Sequence, residues 1–297
     1  MNLIVGATGL LGGQICRLVA TSQKPVRALV RRSADASRLD ELRKAGVELV
    51  WGDLKDPASL RAACEGVTAV LSTASSTFSR QPGDSIDAVD RQGPLDLVEA
   101  ARAAGVEHFV YISFSPIAED FALQRAKRAV EQALIASGCT YTILQPTYFM
   151  EIWFSPELGF DVTRRQARIY GAGENPMSWI SFANVAEFAV RSLDSATARN
   201  AILPLGGPEA LSPIEVVRIF EELSGALFTV EYLVESMLRG GLAAARNPLD
   251  EAFAALALGY AHGGAIEMRG TLEAMPLRLV SVREYAQWIL TEGRDEA

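Results

Sequence analysis

Cysteine and histidine are scarce in this chain. Its 297 residues include three cysteines, Cys16, Cys64 and Cys139, and two histidines, His108 and His262. No two cysteines form a C-x-x-C pair, so a zinc-ribbon site, a redox dithiol and a disulfide framework are all disfavoured. Reduced thiols are expected, with Cys16 and Cys139 as small core residues beside apolar neighbours. Two histidines leave little for a metal centre or a catalytic triad, and no metal is expected. An excess of positive charge is also lacking. With 28 Lys and Arg against 36 Asp and Glu, the net charge is −8, a poor match for a phosphate backbone, so no nucleic acid partner is expected. No apolar run is long and clean enough to cross a bilayer. The first strand begins directly at the N-terminus, which predicts no leader and a cytoplasmic setting. Repeats, low-complexity tracts and linkers are missing too. At 49% hydrophobic and 22% charged residues, the chain can bury one large domain plus a lobe, or two small domains.

What is present concentrates at the start. Residues 1–12 read MNLIVGATGLLG. Leu3, Ile4 and Val5 form a short apolar run into Gly6, and Leu11, Ile15, Leu18 and Val19 follow at helical spacing. This is a buried strand entering a glycine-rich turn and then a helix. A helix N-terminus offers unpaired N–H groups and partial positive charge, and glycines let an anion reach the backbone. The turn residues Gly6, Thr8, Gly9, Leu10, Leu11 and Gly12 are therefore the candidate diphosphate cradle. Their spacing is G-x-x-G-x-x-G; without a ligand it would be an ordinary strand–helix turn.

The first half alternates strands and helices. Strands are expected at 26–30, 48–51, 69–72, 108–113 and 141–145, and helices at 37–44, 57–64, 86–104 and 121–137. Asp56 and Pro57 form a strong helix start, and Pro94 predicts a kink or break within 86–104. Such alternation implies βαβ units and a parallel sheet that binds ligands at the carboxyl ends of its strands. Beyond Met150 the pattern loosens. A short strand at 179–181, a helix capped by Asn184, a strand at 201–205 and a helix from Ser212 to Gly225 are expected. An alanine-rich helical stretch over 233–275 follows, interrupted by Gly240, Gly241 and Pro248. The division predicted is a nucleotide-binding domain at 1–150 and a smaller mixed substrate lobe at 151–297, with some late segments returning to the main sheet.

Residues just past each strand carry the candidate chemistry. After the second strand come Arg31 and Arg32, with no acid. An acid there would pair with the ribose 2′-hydroxyl of NAD, whereas a guanidinium fork suits the 2′-phosphate of NADP. NADP(H) is the cofactor expected, unless both arginines are merely solvated. Asp53 and Leu54 follow the third strand, where the carboxylate either meets the adenine or serves the turn. Thr73, Ala74 and Ser75 follow the fourth and are small enough to let a cofactor lie close. Lys127 shares a helix face with Val130 and Leu134 that should turn toward the sheet. It would hydrogen-bond the nicotinamide ribose or supply a proton during hydride transfer, unless its stem packs and its head snorkels to water.

Taken together, GATGLLG, Arg31-Arg32, GDLKDPASL, AARAAGVEHFVYIS, KRAVEQALIASGCTYTILQPTYFME, NPMSWISFANVAEFAV and GGPEALSPIEVVRIFEELSG resemble the short-chain dehydrogenase/reductase superfamily. Within it they resemble the atypical NmrA-like, isoflavone-reductase-like branch. The resemblance covers nearly the whole chain. It implies an α/β, Rossmann-type doubly wound parallel sheet, NADP(H) binding and a smaller C-terminal substrate lobe, with Pro146, Thr147 and Tyr148 near the nicotinamide. Ordinary members use Tyr-x-x-x-Lys; four residues before Lys127 stands Leu123, which cannot donate a proton. The family's serine corresponds to Ser113 or Ser115. Reductases of the isoflavone type also lack the tyrosine and rely on the lysine, while regulatory members bind the dinucleotide without known turnover. The expectation is therefore an NADPH-dependent reductase of a small carbonyl, quinone or enone. Lys127 would be catalytic, and Ser113, Ser115, Tyr148, Phe149 and Trp153 would line the substrate pocket. The alternative is a non-catalytic NADP(H)-sensing regulator or assembly factor with a protein partner. Sugar-nucleotide epimerase or dehydratase chemistry is disfavoured by the missing tyrosine.

Overall fold

The computed structural model describes residues 1–77 and 80–292. The chain opens with β1 (Asn2–Val5), α1 (Leu10–Thr21), β2 (Val26–Val30), α2 (Ala36–Lys44), β3 (Glu48–Trp51), α3 (Pro57–Cys64) and β4 (Ala69–Ser72). A π-helical turn (Ile86–Gln92), α4 (Gly93–Ala103), β5 (His108–Ile112), α5 (Ala122–Ala136) and β6 (Thr140–Pro146) come next. Then follow α6 (Met150–Trp153), β7 (Phe160–Asp161), β8 (Gln166–Tyr170), α7 (Phe182–Ser192) and β9 (Ala201–Leu205). The chain finishes with α8 (Pro213–Ser224), β10 (Thr229–Leu233), α9 (Glu235–Ala243), α10 (Pro248–His262), α11 (Arg269–Ala274) and α12 (Val282–Glu292). No described helix is long and apolar enough to cross a membrane.

Two compact units share the chain. The first holds Met1–Phe114, Ala122–Gln145 and Val185–Leu203; the second holds Ser115–Phe121, Pro146–Asn184 and the chain from Pro204 onward. The two units are thus interleaved along the chain. A seven-stranded sheet runs in the order β3-β2-β1-β4-β5-β6-β9, and its strands from β3 to β6 are parallel. This is the Rossmann-type doubly wound sheet, whose strand order reverses between β1 and β4, the switch point where such sheets bind ligands.

Local chemistry sets the first unit's helices. Leu11, Ile15, Cys16 and Val19 form the buried stripe of α1, a helical repeat facing a sheet. Asp35 caps α2 through the Ser37 and Arg38 amides, and Asp56 caps α3 ahead of Pro57. Between Ile86 and Ala103 the helix changes type without a gap: the π-helical stretch gives way to α4 just before Pro94. Proline offers no N–H to the carbonyl four residues earlier, that of Asp90, so the regular ladder cannot pass through it. Gly93 is needed there, because an added Cβ would lie 2.8 Å from Leu54 Cβ and 2.9 Å from the Leu54 carbonyl oxygen. Val5, Leu60, Val70, Leu97, Phe109 and Val130 anchor the core on one sheet face. Full burial of each such side chain contributes about 1.5–3 kcal/mol. Cys16 and Cys64 are buried thiols and Cys139 is half-buried, so Cys64 rather than Cys139 is the second core cysteine.

His108 lies in this unit at the start of β5, buried. Thr142 Oγ1 donates its one proton to the Ala198 carbonyl at 2.7 Å, so the 2.9 Å contact with His108 Nε2 has the imidazole donating. Nδ1 has no partner among the described residues. Burial, with a smaller push from Arg199, lowers the imidazole pKa from 6.5 to about 4. A folded state that keeps histidine neutral loses stability as pH falls, because only the unfolded chain takes up the proton between 6.5 and 4. We expect about 3 kcal/mol of unfolding free energy to disappear over that window through His108 alone. Urea denaturation from pH 7 to pH 4 should show a visibly flatter profile for His108→Gln than for the native protein; parallel profiles would contradict this.

The second unit has a three-stranded sheet in the order β10-β8-β7, with β8–β10 parallel and β7–β8 antiparallel. Its core is aromatic: Phe154, Phe160, Trp179, Phe220, Tyr260 and Tyr285 pack together. Three local expectations are corrected here. Residues 179–181 do not form a strand; Ile180 makes an isolated bridge to Phe149, and Met177 bridges Leu211 and Gly264. Ser181, not Asn184, caps α7: its hydroxyl accepts the Asn184 amide at 3.1 Å. The Asn184 side chain instead donates to the Arg278 carbonyl at 3.0 Å and accepts the Val280 amide at 2.8 Å. Gly240 and Gly241 sit inside α9 without breaking it. The interruption expected at Pro248 is present: α9 ends at Ala243, and Pro248 opens α10 with Asn247 as its cap.

Candidate functional site

The turn between β1 and α1 is built by its glycines. Gly6 adopts φ +91°, a left-handed conformation that a side chain resists. A Cβ there would also lie 2.6 Å from Thr73 Oγ1 and 2.8 Å from the Ala74 amide. The ends of β1 and β4 therefore meet at this point. Gly9 caps α1, and its amide donates to the Gly6 carbonyl at 3.0 Å. Gly12 is packed most tightly, since its Cβ would stand 2.1 Å from the Gly6 oxygen. No side chain caps α1 and no acid occupies its first turn. Its leading N–H groups and positive dipole end are left for an anion. Thr8 is half-buried, Leu10 is exposed and Leu11 is buried. The absence of side-chain bulk and competing charge fits a dinucleotide diphosphate.

At the end of β2, Arg31 is not simply solvated. Its Nη1 donates to Asp84 Oδ2 at 2.7 Å, and Lys55 Nζ donates to Asp84 Oδ1 at 2.5 Å. The Asp84 side chain is only 1% exposed. Burial pushes its carboxyl up, but the bonds from Lys55, Arg31 and the Gln81 amide outweigh that and hold it below the usual carboxylate range. Arg32 is exposed and lies over the Trp51 ring, 5.8 Å from its centroid. The Asp53 carboxylate serves the turn, accepting the Lys55 amide at 2.9 Å. Leu54 is buried against Gly93. Neither Asp84 nor Lys55 was anticipated from sequence. The only available sign was a Gln-Pro-Gly-Asp turn far along the chain.

Lys127 faces the core from α5, 5% exposed, alongside Leu123, Val130 and Leu134. Its head does not reach water. Nζ stands 3.5 Å from Asp90 Oδ1 and 3.5 Å from the Ala74 carbonyl, over the Tyr111 ring at 5.2 Å from its centroid. Asp90 is fully buried, and its Oδ2 accepts from Ser76 twice, from the amide at 3.0 Å and the hydroxyl at 2.6 Å. The π-helical stretch that carries Asp90 thereby supplies the lysine's counter-charge; such wide turns recur at functional sites. The Tyr111 and Ser113 hydroxyls are buried without a partner among the described residues. Burial, then Asp90 and Glu131, push the Tyr111 phenol well above its usual range. Thr73, Ala74 and Ser75 line the end of β4, all half-buried. Asp90 and Ser76 escaped the sequence reading; the signal was one acid among the apolar residues Ile86, Val89 and Leu97.

The remaining candidates lie in the second unit or at its margin. The Ser115 amide donates to the Pro146 carbonyl and the Thr147 amide to the Leu205 carbonyl, both at 2.9 Å. The Thr147 hydroxyl donates to the Ser178 carbonyl. Tyr148 turns inward, donating its hydroxyl to the Leu256 carbonyl at 2.9 Å, and burial raises its phenol far above the ordinary range. Its ring contacts Trp153, centroid to centroid 4.9 Å, while Phe149 stacks on Phe182 at 4.5 Å. Tyr148 and Trp153 thus belong to the aromatic packing of this unit.

Comparison with known proteins places this architecture. The chain is 32% identical over 228 residues to an NAD(P)H azoreductase of Xenophilus azovorans, covering 76% of this chain and 74% of that protein. It is 30% identical over 225 residues to the photosystem II assembly factor Ycf39 of Cyanophora paradoxa, covering 75% and 68%. Its fold superposes on the NADPH-dependent quinone oxidoreductase QOR2 of Escherichia coli, solved with NADPH, with a TM-score of 0.77 at 22% identity over 98% and 100% of the two chains. The NmrA-like family model matches residues 2–286, nearly the whole chain, and with these similarities the conclusion is direct: this chain belongs to the NmrA-like family.

Proposed function

We propose that this protein is an NADPH-dependent reductase acting on a small carbonyl, quinone, azo or enone substrate. The observation that carries the reading is the buried Lys127 ammonium, held by Asp90 and the Ala74 carbonyl in the unit whose glycine turn suits a diphosphate. Gly6, Gly9 and Gly12 would hold the dinucleotide at the start of α1, Arg31 and Arg32 would take the adenosine end, and Thr73, Ala74 and Ser75 would let it lie against β4. When bound, the reduced nicotinamide supplies a hydride. Lys127 holds the proton that balances it. Both of its contacts are long at 3.5 Å, so an N–H can be redirected to an oxygen or nitrogen of the substrate. Having given up that proton, the lysine recovers one from solvent that enters when product leaves, and Asp90 restores the ammonium to its place. Positioned proton donation of this kind contributes about 10²–10⁴-fold.

The test is NADPH oxidation measured over a panel of quinones, azo compounds and enones. Lys127→Ala is expected to lower kcat by at least about a hundredfold while calorimetry still detects NADPH. Equal rates would remove the lysine from the mechanism. A second reading has one specific support: Leu123 occupies the tyrosine position and is buried, and relatives named as assembly factors share about the same identity. In that reading the protein binds NADPH, turns over nothing on the panel and retains a stable protein partner.

A further inference from the structure

The carboxylate of Asp84 is an unusual centre for the adenosine end of the site. Its side chain is 1% exposed, and each of its oxygens is committed. Oδ1 accepts from Lys55 Nζ at 2.5 Å; Oδ2 accepts from Arg31 Nη1 at 2.7 Å and from the Gln81 amide at 2.9 Å. The loop carrying it is tied down at a second point, because Gln81 Nε2 donates to the Ser33 carbonyl at 3.2 Å. Two cations from separate segments, one past β2 and one past β3, therefore converge on one buried anion. Without that anion, two like charges on long side chains would repel and each would wander.

We propose that Asp84 is a positioning residue for NADP selectivity: it presets Arg31 and Lys55 as a two-cation clamp for the 2′-phosphate. This rests on the reading that the chain binds NADP(H). The guanidinium has five donors and shows one bonded to Asp84; the ammonium has three. Asp84 and Asp53, whose Oδ2 lies 3.9 Å from Lys55 Nζ, balance Arg31 and Lys55, and the exposed Arg32, next in the chain, leaves the cluster one positive charge in excess. A phosphate dianion is attracted by that remainder and matches the planar fork. A ribose hydroxyl, uncharged, gains little from it, so the preset geometry favours NADPH over NADH rather than tightening both.

The experiment is titration calorimetry of NADPH, NADH and the fragment 2′,5′-ADP against the native protein, Asp84→Asn and Lys55→Met. Both variants are expected to bind NADPH and 2′,5′-ADP about tenfold more weakly, with NADH affinity held within about twofold. Retained NADH binding doubles as the folding control, and Lys55→Met, altering a partly exposed side chain, stands in if Asp84→Asn does not fold. Equal weakening for NADPH and NADH would make Asp84 only a fold element and overturn the clamp. Unchanged or tighter NADPH binding in both variants would overturn it as well. If the native protein binds no nucleotide, the parent reading falls and takes this one with it; native binding with unselective variants removes the clamp alone.

Discussion

Asp90→Ala should lower the unfolding free energy by about 3–5 kcal/mol, the range seen when one member of a buried ion pair is removed. The cause is not lost attraction alone. Asp90 is fully buried, and Lys127 is 5% exposed. Deleting the carboxylate strands an ammonium in the core with one carbonyl at 3.5 Å. The Ser76 amide and hydroxyl lose their acceptor at the same time, at about 1–3 kcal/mol for a buried group left unsatisfied. Urea denaturation of Asp90→Ala, Lys127→Met and the double variant closes a mutant cycle. Lys127→Met strands the fully buried Asp90 carboxylate and should also destabilise, softened by the two Ser76 hydrogen bonds that remain, and the double variant should lose clearly less than the two single losses combined, because no charge is then stranded. Strictly additive losses would mean that the two side chains do not share an energetic unit.

The second large effect is expected at Gly12. An alanine Cβ there would lie 2.1 Å from the Gly6 carbonyl oxygen, 2.7 Å from its carbon and 3.0 Å from Ala7 Cα. All three are backbone atoms, so relief requires moving the turn itself. Gly12→Ala should cost about 3 kcal/mol or more, at the upper end of overpacking. It should also weaken NADPH binding by roughly a hundredfold or more, because the displaced turn no longer aims its N–H groups at the diphosphate. The next residue provides the control. At Gly13 the added methyl would meet Ala7 O at 3.5 Å, an ordinary contact, and helix propensity favours alanine by about 1 kcal/mol. Gly13→Ala should therefore be neutral or stabilising and bind NADPH normally. Similar behaviour of the two variants in melts and calorimetry would show that the turn does not depend on the Gly6–Gly12 approach.

The contrast between these two neighbouring glycines shows how far sequence reading reaches. The strand–turn–helix at residues 2–21, the Asp56–Pro57 start and the Ser212–Glu215 capping box are governed by residues within a few positions of one another, and their patterns are visible in one dimension. Pro94 likewise announces the change of helix type. The second unit's small sheet is different. β8 pairs with β10 across some sixty residues, and each strand is only five residues long, too short for its alternation to stand out along the chain. Asn184 looked like a helix cap because its residue type favours that role; Ser181, three residues earlier, reaches the open amide instead, and tertiary partners at Arg278 and Val280 claim the asparagine. The site follows the same logic. Lys127 could be picked out by its place on a buried face, and Arg31 by following a strand. Their counter-charges, Asp90 and Asp84, are joined to them only by the folded chain, so neither partner has a local signature.

The position of β9 bears on how the protein is made. It lies beside β6 in the seven-stranded sheet, yet the ribosome must first synthesise everything from Thr147 to Asn200. Until Ala201–Leu205 emerges, the nascent nucleotide unit carries β6 as a bare rim, with backbone groups free to capture another chain. Completion of that sheet is therefore a late event in biosynthesis, and nascent chains stalled before residue 200 are the ones most in need of a chaperone.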